Sequence, residues 1–157
     1  MAEKPILFSG EMVRAILEGR KTQTRRVITP QPSAKLYKYM SRNEWYEADG
    51  DEPKYHTLRK CPYGNICDLL WVRETWAQLC EADNLTGKCD VAYRADDWPE
   101  DEPGPDYIKG TWRPSIFMPR WASRITLEIE RVSVERVQAI TDDTAIEEGV
   151  NRTNTSI

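Results

Sequence analysis

The chain has 157 residues, enough for one domain with its own core. Its 22 Lys and Arg against 26 Asp and Glu leave a net charge of −4, which excludes a protein wrapped in nucleic acid over its whole surface but allows a local basic site. Hydrophobic residues make up 39% and charged residues 31%, and the apolar ones are clustered, which excludes global disorder. Six Trp and seven Tyr stand against two Phe. Trp and Tyr suit half-buried pockets or stacking platforms, and equally the core of a small β-rich fold. The four cysteines, Cys61, Cys67, Cys80 and Cys89, form no C-x-x-C pair, and His56 lies five positions before Cys61. That spacing predicts no metal site, and no cofactor motif is present. With no leader pattern and no long apolar run, the expectation is a cytoplasmic protein with reduced thiols and no membrane partner.

In chain order, Lys4 to Phe8 reads as a short strand. Ser9 is an N-cap for a helix from Glu11 to Glu18, with Met12, Val13, Ile16 and Leu17 as its buried stripe. Gly19 stops this helix as a left-handed residue would. Arg20 to Ile28 follows in extended form and ends at Pro30 and Pro32. Within it, Gly19 to Arg26 holds a lysine, two threonines, a glutamine and three arginines. That is either a solvated basic turn or the wall of a site.

Residues near 30–65 read as an insertion, with Tyr37, Tyr39 and Trp45 flanking a hairpin, a turn at Ala48 to Asp51 and another at Cys61 to Gly64. Asp68 to Glu74 is a near-continuous apolar strand and is expected at the centre of a sheet. Thr75 to Ala77 continues it or turns away. A second insertion spans residues near 78–112, where 81–106 carry nine acidic residues against Lys88 and Arg94, with a strand at Val91 to Arg94. Trp112-Arg113-Pro114 and Met118-Pro119-Arg120-Trp121 are aromatic, basic and proline-locked. Ser123 to Val134 reads as a long strand, with Ile125, Leu127 and Ile129 on one face and Thr126, Glu128 and Glu130 on the other. Val132 and Val134 fall on the opposite parity, which requires a bulge near Arg131 or a bend. Thr141 caps a short helix with Asp142 and Asp143 in its first turn, and Gly149 closes it. Residues 151–157 are a polar tail.

Gly19-x-Lys21-x-x-Thr24-x-Arg26 resembles the G-x-K-x-x-T-x-R signature of ASCH domains, relatives of the PUA fold. Asp68-Leu69-Leu70-Trp71-Val72-Arg73-Glu74 is similar to that family's G-D-x-L-x-V strand. Met118 to Arg124 resembles the branch carried by phages and prophages, often labelled morphogenetic, and the Thr141 to Gly149 helix also fits. The resemblance implies an α+β fold: a small PUA-like β-barrel with short flanking helices, here a single domain over 1–150 interrupted by the two insertions. It departs in two places. Cys67 stands where the family has glycine, so a residue that disfavours positive φ must make the turn. The family's further helix and C-terminal strand have no counterpart in the polar tail. Without that strand an open sheet edge is expected, suited to pairing in a homodimer.

By resemblance to members that hydrolyse N4-acetylcytidine, the catalytic set falls on Lys21 and Thr24, with Glu148 assigned as its carboxylate. The chemistry is coherent: a lysine in a cleft loses charge stabilisation and can act as base, Thr24 attacks or orients a water, and Glu148 passes a proton to the leaving nitrogen. Positions 21 and 24 face one cleft only if the segment kinks after Gly19. Arg26, with Arg25 or Arg73, is suited to hold a phosphate or base carbonyl, and Trp76 or Trp121 to stack a base, as is Trp71, whose pattern favours packing. Three readings follow: an amidohydrolase of acylated cytidine, a non-catalytic module binding RNA or a nucleotide, and a phage protein-interaction module.

Overall fold

The computed structural model describes residues 1–38, 44–48, 57–78, 90–96 and 112–150. The first strand, β1 (Glu3–Leu7), runs into helix α1 (Gly10–Leu17). Ser9 caps the helix by accepting from the Met12 amide, satisfying one of the free N–H groups of the first turn. At the other end Gly19 has φ 73°. Its amide donates to Ile16 O at 3.0 Å and that of Arg20 to Ala15 O at 2.9 Å. This is the paired closure that a left-handed residue makes possible. Met12, Val13 and Ile16 face the core as the spacing predicts. Leu17 instead is 54% exposed, and the buried arc extends to Ala15 on the other side. The reason is a second element that docks at Ala15, described below.

The next strands, β2 (Lys35–Lys38), β3 (Glu44–Ala48) and β4 (Thr57–Lys60), form an antiparallel sheet of their own. The hairpin expected around Tyr37 and Trp45 is therefore present. Tyr37 pairs with Tyr46 across it and the two rings stack at 5.6 Å, a cross-strand contact of the kind that sets register. Tyr39 and the turn at 49–51 lie outside the described residues. Gly64 N donates to Cys61 O, closing the turn read at Cys61 to Gly64.

The strand β5 (Leu69–Arg73) is central, as its apolar run predicts. It is parallel to β1 and antiparallel to β8 (Thr126–Glu128). Leu69 N bonds Ala2 O and Phe8 N bonds Arg73 O. The alternation of a parallel ladder thus sends the backbone groups of Glu3, Pro5 and Leu7 to the open edge of β1. Pro5, which has no N–H, falls where no ladder bond is needed. The inner face of this sheet, Ile6, Leu70, Val72 and Ile125, packs with Phe8 and Val13 into the main core. Thr75 turns the chain away: β6 (Trp76–Gln78) pairs with β7 (Val91–Tyr93) in a separate two-stranded sheet over a second cluster of Trp76, Met118 and Ala122. Helix α2 (Asp142–Glu147) follows, capped by Thr141 in a reciprocal box with Thr144.

The fold is thus α+β, with three small open sheets and two α-helices among the described residues. Among the described residues the strands do not close into the expected barrel, because β1 ends one sheet and the chain leaves it after β5. No helix is long and apolar enough to cross a membrane among the described residues. The long strand expected over Ser123 to Val134 is only the three-residue β8, flanked by bonds from Val72 N to Ile125 O at one end and from Ile129 N to Asp68 O and Cys67 N to Ile129 O at the other. Its partner stops it. Cys67 takes φ 68°, the left-handed turn demanded where glycine was missing, and the ladder cannot run past it. Beyond Ile129, Glu130 and Arg131 are both exposed in succession, while Val132 packs against the core. That double exposure is the phase shift expected near Arg131.

A left-handed non-glycine residue costs about 1–2 kcal/mol, against the ~0.5–1 kcal/mol of extra entropy glycine loses on folding. Cys67→Gly is therefore expected to stabilise the fold by about 0.5–1 kcal/mol, read as a higher urea midpoint at unchanged slope. A lower midpoint would show that the Cys67 side chain contributes more than its backbone strain costs.

Candidate functional site

The residues after Gly19 do not pair with a strand. They are clamped onto the end of α2. Thr22 N and Gln23 N both donate to Glu147 O, at 2.8 and 2.9 Å. The Gln23 amide nitrogen bonds the Glu147 carboxylate. Arg20 Nη1 reaches Gly149 O at 3.3 Å. Gly149 makes the approach possible: its φ is 92°, and a Cβ there would lie 2.9 Å from Ala15 Cβ and 3.4 Å from Lys21 Cβ. This contact is what buries Ala15 and leaves Leu17 outside.

Lys21 sits inside this seam, 7% exposed. Its Nζ donates to Gln23 O at 2.5 Å and Glu148 O at 2.8 Å, and stands 5.5 Å from the centroid of the Phe8 ring. Burial pulls the Lys21 pKa below its ordinary 10.5; the Glu148 charge opposes this and the Arg26 charge adds to it. Two of the three ammonium protons are fixed on carbonyls, so loss of the third leaves a lone pair directed away from them.

The expected catalytic trio is brought together only in part. Lys21 and Glu148 meet, but through the Glu148 main-chain carbonyl. The Glu148 carboxylate is held by Arg25 Nη1 at 2.6 Å, and Arg25 Nη2 reaches Glu135 at 3.2 Å. Arg25, expected to contact substrate, is thus engaged by two carboxylates, and its pKa is raised chiefly by the bond to Glu148. Thr24 is exposed and makes no side-chain hydrogen bond to another described residue. Lys21 is buried and Thr24 exposed, so the segment, although it does not pair as a strand, does not bury the two side chains together.

The remaining expected contacts separate into two groups. Arg26 and Arg73 line one open recess of about 300 Å³ with Pro5, Leu7 and Tyr63. Arg26 also stands 5.5 Å from the Phe8 centroid, so it shares that ring with Lys21. Trp76 is 1% exposed and belongs to the second cluster, which removes it as a stacking platform in this conformation. Trp121 is 60% exposed and meets Trp76 edge-on at 5.8 Å, leaving much of its ring accessible.

One titratable group was missed by the sequence reading. Glu74, directly after β5, is 1% exposed. It accepts from Arg124 Nε at 2.9 Å and Nη2 at 3.0 Å. Arg124 also bonds Asp96 at 2.7 Å and lies 4.0 Å over the Tyr93 ring. Burial raises the Glu74 pKa, with Arg124 opposing. The signal was present as a carboxylate closing a strand predicted to be central. The residue before it, Arg73, accepts the Phe8 amide at its carbonyl. Lys21 and Glu74 thus have pKa values that burial pushes in opposite senses.

Among the described residues no three His, Cys, Asp or Glu side chains converge as metal ligands. Cys61 and Cys67 are free thiols, and His56, Cys80 and Cys89 lie outside the described residues. Most of the acidic insertion lies outside them too. Comparison with protein-family models, with curated proteins and with solved structures finds no match.

Gly149→Ala combines a left-handed penalty with overpacking against Ala15, and is expected to cost about 2 kcal/mol or more. Denaturant unfolding would read the loss. A variant as stable as the parent would mean that α2 does not depend on this contact.

Proposed function

We propose that the chain is an ASCH-type, PUA-like module whose seam at Lys21 receives RNA or a modified nucleoside. The observation that carries this reading is the buried Lys21 of the Gly19-x-Lys21-x-x-Thr24-x-Arg26 motif, held by two carbonyls beside Phe8 and next to the Arg26 recess. A lysine packed this way is an expensive choice for structure alone, since burial works against its charge. Beside it, Arg26 is exposed and Thr24 is unpaired among the described residues, so donors remain for a ligand. Cytoplasmic placement fits the same reading.

A second reading is hydrolysis of the amide of an N4-acetylcytidine-like substrate. It is favoured by the buried Lys21 of the motif, whose pKa burial lowers, since amide hydrolysis needs a base that can stand neutral. In that scheme the acyl carbon gains oxygen from water, or first from the Thr24 hydroxyl. Neutral Lys21 takes the proton released. The C–N bond breaks, and a protonated carboxyl supplies the exocyclic nitrogen with its proton, giving the free acid and cytidine. Glu148 and Glu74 are each bonded to an arginine, Arg25 and Arg124, and burial favours the protonated form of Glu74.

Both readings are tested together by incubating the wild type with N4-acetylcytidine and measuring binding and turnover. Hydrolysis predicts that Lys21→Ala abolishes turnover while circular dichroism shows the fold intact. It also predicts a rate that rises with pH through an inflection below 10.5, because the folded lysine loses its proton earlier than a free one. Glu74→Gln is expected to lose turnover more completely than Glu148→Gln, and the reverse order would return the role to Glu148. Saturable binding without turnover leaves the binding module. Neither binding nor turnover of nucleoside or short RNA would sink both readings and favour the protein-interaction module.

A further inference from the structure

The arginines of the described chain divide by what holds them. Arg20, Arg25, Arg59, Arg120 and Arg124 each contact a carboxylate. Arg26 and Arg73 are among those bonded instead to main-chain carbonyls, as Arg14 is. Arg26 Nη2 donates to Leu7 O at 2.9 Å and Nη1 to Arg25 O at 3.1 Å. Arg73 Nε donates to Met118 O at 3.0 Å, and its Nη2 bonds Ile116 O. Neutral carbonyls thus fix both guanidinium groups in place, while their charge and remaining N–H donors are left unused. Arg73 is steadied further by the Trp71 ring, 5.2 Å from its guanidinium carbon.

Both side chains line the same recess, with Tyr63 as a third polar residue and Leu7 and Pro5 as its apolar wall. Its volume of about 300 Å³ is at the low end of small-ligand clefts, which run roughly 300–1,000 Å³. The carboxylates on the same face of the sheet stand at its other end. On this face of the sheet Glu3 and Glu128 flank Leu69, whereas Arg73 pairs with Leu7 four residues further along β5, about 13 Å away. Glu3 is already neutralised by Arg120 at 2.7 Å. Two planar forks with no counter-charge, on an apolar wall, fit a tetrahedral oxyanion with several acceptor oxygens.

We propose that this recess seats a phosphate group, so that the ligand of the neighbouring Lys21 seam is a phosphorylated nucleoside or an RNA strand rather than a free nucleoside; the second half of this statement rests on the nucleoside reading above. Arg26 supplies the continuity, because it lines the recess and shares the Phe8 ring with Lys21.

Calorimetric titration of the wild type with cytidine, cytidine 5′-monophosphate, inorganic phosphate and a short single-stranded RNA tests it. The monophosphate is expected to bind about tenfold or more tighter than cytidine, as charge-assisted bonds to two guanidinium groups require. Arg26→Gln should erase that difference and Arg26→Lys should keep most of it. Arg73→Lys should retain the charge but lose the fork, leaving an intermediate preference. RNA that binds tighter than the monophosphate, with a steeper salt dependence, identifies the strand as the phosphate source; equal affinity identifies the nucleotide. Inorganic phosphate that competes with the monophosphate in the wild type but not in Arg26→Gln supports the recess even where cytidine does not bind, and in that case only the nucleoside reading falls. Equal binding of cytidine and its monophosphate to the wild type, or a preference that survives in a folded Arg26→Gln, overturns the proposal.

Discussion

The carbonyl of Glu147, which takes the amides of both Thr22 and Gln23, is the contact on which the arrangement of the site depends. Helix α2 is six residues long and has no buried residue of its own. A helix of that length does not persist alone in water. It holds its place because its last turn supplies an acceptor to Thr22 and Gln23: the stretch after Gly19 forms no ladder, and these two amides would otherwise be left to water. Each partner therefore completes the other. Gly149 makes the contact sterically possible, and Ala15 is the surface it closes on.

From that contact the burial of Lys21 follows. Its stem lies under the α2 end, and its ammonium is held by Gln23 O and Glu148 O, one carbonyl from each partner. The position is coupled to the main sheet through Phe8, whose amide continues the β1–β5 ladder and whose ring faces both Lys21 and Arg26. Packing, the parallel strand pair and the motif thus meet at one aromatic side chain. A change that moves β1 relative to β5 would be felt at Lys21 without touching it.

What could be read from the sequence was local. As helix ends, Ser9, Gly19, Thr141 and Gly149 each act within four residues of themselves, and both helices lie close to where their caps place them. The left-handed turn at Cys67 was legible for the same reason. The centrality of β5 followed from an unbroken apolar run. The length of β8 did not follow from its own alternation, because a strand ends where its partner ends, and its partner ends at Cys67. The same limit applies to the site. Lys21 was legible from its motif. The engagement of Glu148 was not, because Arg25, Glu135 and Glu148 come from three distant segments and only the fold decides which carboxylate meets which cation. Glu74 was passed over because a charged residue after a strand usually marks its exit to solvent, whereas here Arg124 meets it indoors.

Partnering also separates structural from available charge more sharply than exposure does. Arg25 is half-buried and spent on two carboxylates, and Arg124 bridges Glu74 and Asp96. Both hold segments together and have little charge to offer a ligand. Arg73 is buried to a similar degree but bonded only to carbonyls. A carbonyl orients a guanidinium without cancelling its charge, so the fork keeps both its aim and its field. In a chain of net charge −4, an anion gains little from the molecule as a whole. It is attracted where cations are fixed by neutral groups and carboxylates are kept at the far end of the same face, which is the arrangement at the open edge of β1.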